Sequence, residues 1–141
     1  METNNYFKLE FEAKKTNESF ARGVAAMFAA ELEPSLSEIN DIKTAVSEAV
    51  TNSIVHGYLD KGGKIIMEAK IDGTTLDITI SDNGVGIDDI DMALQPFFTT
   101  KAKDEHSGMG FTLMDSFMNF LEVKPNSPSG LIVHMKKVIK D

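Results

Sequence analysis

The sequence predicts an α+β fold, a two-layer sandwich whose mixed, mostly antiparallel sheet carries its helices on one face. Three observations point there. The segments run β-α-α-β-β-α-loop-α-β-β along the chain. An apolar stripe at helical spacing runs through Ile39, Ile42, Val46, Ala49, Val50 and Ser53. Asp72-Gly73 separates two β-rich runs and is the strongest short hairpin signal in the chain. With 141 residues and no linker, repeat or low-complexity tract, residues 1–141 form a single domain.

Taken in order, Tyr6 to Phe11 alternates as a strand, with Phe7, Leu9 and Phe11 on one face. Thr16 and Asn17 are candidate caps for a helix that runs to about Leu32, where Pro34 stops it. Ser35 and Glu38 have capping-box spacing. The helix they open is the longest element and ends near Gly57, a residue suited to the left-handed position after a helix. Lys64 to Ile71 and Thr75 to Ile80 make the hairpin. Asp88 is placed to cap a short helix ending near Leu94. Pro96 to Gly110 shows glycines, mixed charge and no period, a loop long enough to imply a function. A helix from about Met109 to Phe120 follows, then a hairpin of Leu121 to Lys124 and Leu131 to Val138.

Composition removes whole classes of function. There is no cysteine, which excludes disulfides, thiolate catalysis and Cys-based zinc sites. His56, His106 and His134 lie far apart without metal-ligand spacing. The net charge of −8 disfavours nucleic acid, because the field repels polyanions. Met1 to Lys8 lacks the charged and apolar regions of a signal peptide, and Val24 to Ala30 is too short to span a bilayer. A cytoplasmic protein with no membrane segment is expected.

Three places could carry chemistry. Glu48 and Asn52, four apart on the long helix, share a face turned away from the Ile39/Val46/Val50 stripe. A carboxamide oxygen there suits Mg²⁺, and a carboxylate one turn away could accept a proton. Alone, such a pair also reads as two solvated side chains. Asp82-Asn83-Gly84-Val85-Gly86 follows a strand, so Asp82 could accept from an exocyclic amine while Gly84 and Gly86 let backbone approach a planar ligand. By itself this stretch is a turn, and it lacks the third glycine of a dinucleotide fingerprint. Thr99, Thr100, Lys101, Ser107, Gly108 and Gly110 surround the start of a helix, where hydroxyls, a cation and free N–H groups suit an anion.

These pieces, in this order, resemble the N box (Glu48 to Asn52), the first glycine box (Asp82 to Gly86) and the second (Ser107 to Gly110) of the GHKL superfamily, whose fold is the Bergerat or histidine-kinase-like ATPase sandwich. A finer resemblance is to the anti-sigma serine kinases of spore-forming bacteria. It is carried by Asn17-Glu18-Ser19-Phe20-Ala21-Arg22, Val46 to Asn52, Gln95-Pro96 with Phe98-Thr99-Thr100-Lys101, and Ser107 to Thr112.

That resemblance implies ATP and Mg²⁺ as cofactors, with Asn52 on the metal and Glu48 as general base. It implies Asp82, Gly84 and Gly86 at adenine, and Thr99, Thr100, Lys101, Ser107, Gly108 and Gly110 at the phosphates, with residues 96–110 as an ATP lid. The activity implied is that of a protein serine kinase. It would bind a sporulation sigma factor of the sigma F type and phosphorylate a serine of an anti-anti-sigma factor, with Arg22 on the docking surface of a homodimer. A stress-response kinase of the same kind and a non-catalytic, nucleotide-dependent sigma-binding module are the alternatives. Two positions depart from the pattern: His106 stands where the family often has arginine, and Leu131 follows Gly130 where the family has threonine.

Overall fold

The computed structural model describes residues 4–95 and 110–140. Its first strand, β1, spans Asn4–Glu12 and leads into helix α1, Lys15–Ala29, which tightens into a 3₁₀ turn at Ala30–Leu32. Helix α2 spans Leu36–Asn52 and continues as a π-helical turn, Ser53–Gly57. Strands β2, Lys64–Asp72, and β3, Thr75–Asp82, form a hairpin, followed by the short helix α3 at Ile90–Ala93. Helix α4, Gly110–Phe117, and strands β4, Phe120–Pro125, and β5, Leu131–Val138, complete the described chain.

The five strands lie in the order β1-β2-β3-β5-β4. Every pairing among the described residues is antiparallel, where the sequence had suggested a mixed sheet. The reason is topological: β2 and β3, and β4 and β5, are consecutive strands joined by short connections, and α1 and α2 return the chain reversed between β1 and β2. Alternation decides which face is buried. Ile65, Met67, Ala69 and Ile71 of β2, Leu76, Ile78 and Ile80 of β3, and Val133 and Met135 of β5 are buried and form one core with the helices. On the opposite face Tyr6 Oη donates to Glu68 (2.7 Å), and His134 pairs with Asp77 (2.7 Å).

The helical layer follows from small and branched residues at helical spacing. Ala21, Ala25 and Ala29 line one face of α1 and are fully buried, so the helix can approach α2 closely. From α2, Ile42, Val46, Ala49 and Val50 enter the core, each larger side chain contributing on the order of 1.5–3 kcal/mol. The expected capping box is present: Ser35 Oγ accepts from Glu38 N (3.1 Å), and Glu38 Oε1 accepts from Ser35 N (2.8 Å). Glu38 also accepts from Lys140 N, and these donors hold its carboxyl below the usual carboxylate range.

Four local expectations differ. Helix α1 begins two residues earlier than Asn17, with no side-chain cap. Asn17 instead donates to the Glu12 carbonyl (2.9 Å) and ties the helix to the preceding strand. Gly57 is not left-handed, because α2 does not stop there but loosens into the π turn; Leu59 and Asp60 take the positive φ angles. In the hairpin Asp72 pairs with Thr75, so the loop is Gly73-Thr74, with Gly73 at φ +65°. Asp89, not Asp88, caps α3 by accepting from Met92 N (3.1 Å).

Candidate nucleotide site

Helix α2 delivers two polar side chains to the start of the described part of α4. Glu48 and Asn52 are both half-buried. Gly110, the first residue of α4, backs directly onto them. A Cβ there would lie 3.1 Å from Asn52 Nδ2 and 3.3 Å from Glu48 Oε1. A larger residue would make the Asn52 and Glu48 side chains give by a few tenths of an ångström, and glycine leaves the described start of α4 beside a carboxylate and a carboxamide. The sequence had set Gly110 more than fifty positions from Asn52.

A second cluster forms at the end of β3. Asp82 is buried, at 4% exposure, and both its oxygens are held by neutral donors. Oδ1 accepts from Gly84 N (2.9 Å), and Oδ2 accepts from Ser53 Oγ (2.7 Å). The π turn brings this about. Ser53 and Gly57 bracket it, and a Cβ on Gly57 would stand 3.2–3.3 Å from the same carboxylate. Gly57 also accepts from Val85 N (2.8 Å), so the turn carrying Gly84 and Gly86 is hung on the helix end. Gly86 has φ +75° and faces the Gly130 carbonyl. Gly130 in turn fits against the Asp82 backbone, where a Cβ would lie 2.0 Å from the Asp82 carbonyl oxygen.

The two clusters are reached from consecutive residues of the chain, Asn52 facing Gly110 and Ser53 facing Asp82. Of the residues singled out in the sequence, Glu48, Asn52 and Gly110 meet in the first cluster, and Asp82, Gly84 and Gly86 lie in the second. Thr99, Thr100, Lys101, Ser107 and Gly108, together with His106 and the 96–110 segment up to residue 109, lie outside the described residues. Arg22 is in neither cluster. Its Nη1 donates to Glu18 Oε2 (2.9 Å), one turn earlier on α1. Ser47 Oγ donates to that same oxygen, so α1 is tethered to α2 one residue before Glu48.

Sequence reasoning missed four supports. Ser53 read only as part of the apolar stripe, and a hydroxyl at a core position was the one signal available. Tyr58 clamps the turn, its hydroxyl accepting from Asn83 N (2.8 Å) and donating to the Lys64 carbonyl (2.5 Å). Asn126 donates to the Asp82 carbonyl (2.8 Å), and Ser129 Oγ to the Asn83 carbonyl (3.1 Å). No sequence pattern marks these three, because each reaches a partner at least twenty-five positions away.

Residues 11–137 match the model of the histidine kinase-like ATPase domain. The chain is 52% identical over 135 residues to the anti-sigma F factor of Clostridium kluyveri, covering 96% of this chain and 95% of that protein. It is likewise 52% identical over 139 residues to the anti-sigma F factor of Thermoanaerobacter sp. strain X514, covering 99% and 97%. Among solved structures it superposes on the RsbU and RsbW domains of Rv1364c from Mycobacterium tuberculosis, with a TM-score of 0.67 and 17% identity, over 96% of this chain and 32% of that one. The catalytic domain of the histidine kinase ThkA gives a TM-score of 0.58 at 18% identity, over 94% and 96%. At these identities the two structures speak for the fold.

Proposed function

This chain belongs to the histidine kinase-like ATPase family, and on that footing we propose that it is an anti-sigma factor of the sigma F type that uses Mg²⁺·ATP to phosphorylate a serine of an anti-anti-sigma factor. The observation that carries the catalytic half is the meeting of Glu48 and Asn52 with the Gly110 backbone at the start of α4. A carboxylate and a carboxamide beside the first described turn of α4 suit a metal-bound polyphosphate beside a proton acceptor. The sigma-binding half is supported by relatives named anti-sigma F factor that share half their residues over nearly the whole length.

In this reading the Asn52 carboxamide oxygen would hold Mg²⁺, which would neutralise charge at the phosphates. Glu48 accepts the proton of the acceptor serine hydroxyl, whose oxygen attacks the γ-phosphorus while the bond to the bridging oxygen breaks and ADP leaves. Asp82 accepts a hydrogen bond from the adenine amino group, and Gly84 and Gly86 leave room for the base. Thr99, Thr100, Lys101, Ser107, Gly108 and Gly110 donate to phosphate oxygens. Arg22 serves docking on the surface of a homodimer that acts in the cytoplasm. Among the described residues no helix is long and apolar enough to cross a membrane.

The test is incubation of the purified chain with γ-labelled ATP, Mg²⁺, and the sigma factor and anti-anti-sigma factor of the same genome. Label on a serine of the anti-anti-sigma factor, with release of bound sigma factor, is expected. Sigma binding without label would reduce the protein to a non-catalytic binding module.

A further inference from the structure

The adenine side of the site depends on a carboxylate that cannot hold itself in place. Asp82 ends β3 on the core-facing side, and continuing the β3–β5 register beyond Ser81–Ile132 sets Leu131 opposite it. Leu131 is buried and its side chain offers no donor. The strand partner therefore leaves the carboxylate unsupported on that side. Support comes from the helical layer instead: Ser53 Oγ donates to Oδ2 at 2.7 Å, and Gly84 N donates to Oδ1 at 2.9 Å. Ser53 is 5% exposed and Asp82 4%, so neither group can exchange its partner for bulk water. Gly57 closes the remaining approach from the π turn, since a Cβ there would already stand 3.2 Å from Oδ2.

We propose that Ser53 is the positioning residue that fixes the Asp82 carboxylate and thereby sets the preference of this site for a base bearing an exocyclic amine. An ionised carboxylate only accepts hydrogen bonds, and each oxygen has two lone pairs. With one lone pair on each oxygen occupied by a fixed donor, the carboxylate is held in a single orientation. Its remaining acceptor capacity then favours a ligand N–H and opposes a carbonyl oxygen, which would meet it lone pair to lone pair. A site built to receive such a donor rejects an analogue lacking it more strongly than a hydrophobic pocket rejects a misfit. Removing Ser53 Oγ leaves the carboxylate held by Gly84 N alone and its Oδ2 without a donor, and the discrimination falls with it.

This inference rests on the reading of Asp82 as the adenine acceptor, and the experiment separates the two. Binding of ATP and of inosine triphosphate, which carries oxygen in place of the 6-amino group, is measured by calorimetry in Mg²⁺ for the wild type, Ser53→Ala and Ser53→Thr. Thermal melts of each are recorded alongside. The wild type should prefer ATP. Ser53→Ala should lose about ten-fold or more in ATP affinity, with little change for inosine triphosphate, so that the ratio collapses. Ser53→Thr, which keeps the hydroxyl, should retain the ratio. A wild type that binds both triphosphates equally overturns the reading of Asp82 and this inference with it. A wild type that prefers ATP beside a Ser53→Ala variant with an unchanged ratio overturns the inference alone. The same holds if Ser53→Ala lowers the melting temperature but weakens both ligands equally, for then Ser53 is only structural.

Discussion

The backbone of Gly84 lies so close to Gly57 that a Cβ on Gly84 would stand 2.2 Å from the Gly57 carbonyl oxygen. This contact joins the turn after β3 to the π turn after α2, and the Val85 N–H bond to the same carbonyl seals it. Both partners are backbone, so nothing flexible can yield.

Gly84→Ala should therefore push the turn off the helix end. A loss of roughly 1–3 kcal/mol in stability is expected, as for other overpacked sites, together with at least about ten-fold weaker ATP binding. Gly23→Ala is the control, because a Cβ there meets nothing within 4 Å and the residue lies inside α1. It should stabilise by about 0.5–1 kcal/mol. Urea unfolding of both variants, with calorimetry for Gly84→Ala, checks the pair; a Gly84→Ala protein as stable as wild type would mean that the turn tolerates displacement.

Glu48→Ala should keep nucleotide binding and lose transfer by about a hundred- to ten-thousand-fold, the usual cost of removing a general base. Asn52→Ala should instead weaken ATP binding in Mg²⁺ and leave binding without the metal little changed. Single-turnover transfer and calorimetry with and without Mg²⁺ distinguish the two. Transfer at near wild-type rate in Glu48→Ala would assign the base elsewhere.

Arg22 tests docking against stability. Its bond to Glu18 is an i,i+4 surface pair, with the arginine side chain 40% exposed, so solvent screens it and it contributes about 0.5 kcal/mol at most. Arg22→Ala should leave the urea midpoint nearly unchanged. If the residue docks a partner, sigma-factor affinity should fall by about ten-fold or more. Unaltered affinity would make the arginine a surface charge only.

The capping box of α2 should be visible in acid. Hydrogen bonds from Lys140 N and Ser35 N favour the charged form of Glu38 and lower its pKa in the folded state. A lowered carboxylate contributes stability that is complete above its unfolded value near the usual carboxylate range, and that is lost as pH falls through the folded value. Wild type should therefore lose stability relative to Glu38→Gln on acidification from pH 6 toward 3. Ser35→Ala should cost about 1 kcal/mol at neutral pH. Urea midpoints across this range provide the measurement, and parallel curves for wild type and Glu38→Gln would remove the titration.

Lys137 reaches from β5 to two helices of the other layer, α2 and α4. Its ammonium, on a side chain 13% exposed, donates to Asp41 (3.0 Å) and to the Phe117 carbonyl at the end of α4 (2.7 Å). Lys137→Met should keep the packed stem and strand the other two groups, costing roughly 1–3 kcal/mol. A loss confined to a few tenths in urea unfolding would show that water replaces the ammonium there.

The elements themselves were legible because their causes are local. Helical spacing of Ile42, Val46 and Val50, the Ser35–Glu38 box and the glycine after Asp72 each act within a few residues, so sequence alone determined two helices, two hairpins and the face of α2 that turns inward. The pairing of Glu48 with Asn52 was readable for the same reason, since one helical turn sets it. What sequence could not determine was which distant backbones would touch. Gly110 against Asn52, Gly84 against Gly57 and Gly130 against Asp82 are contacts between segments, and a glycine in a sequence does not say what it makes room for. Ser53 shows the limit most clearly. In the stripe it is one small residue among apolar ones, and only the π turn, which rotates the end of α2 toward β3, sets its hydroxyl against the Asp82 carboxylate.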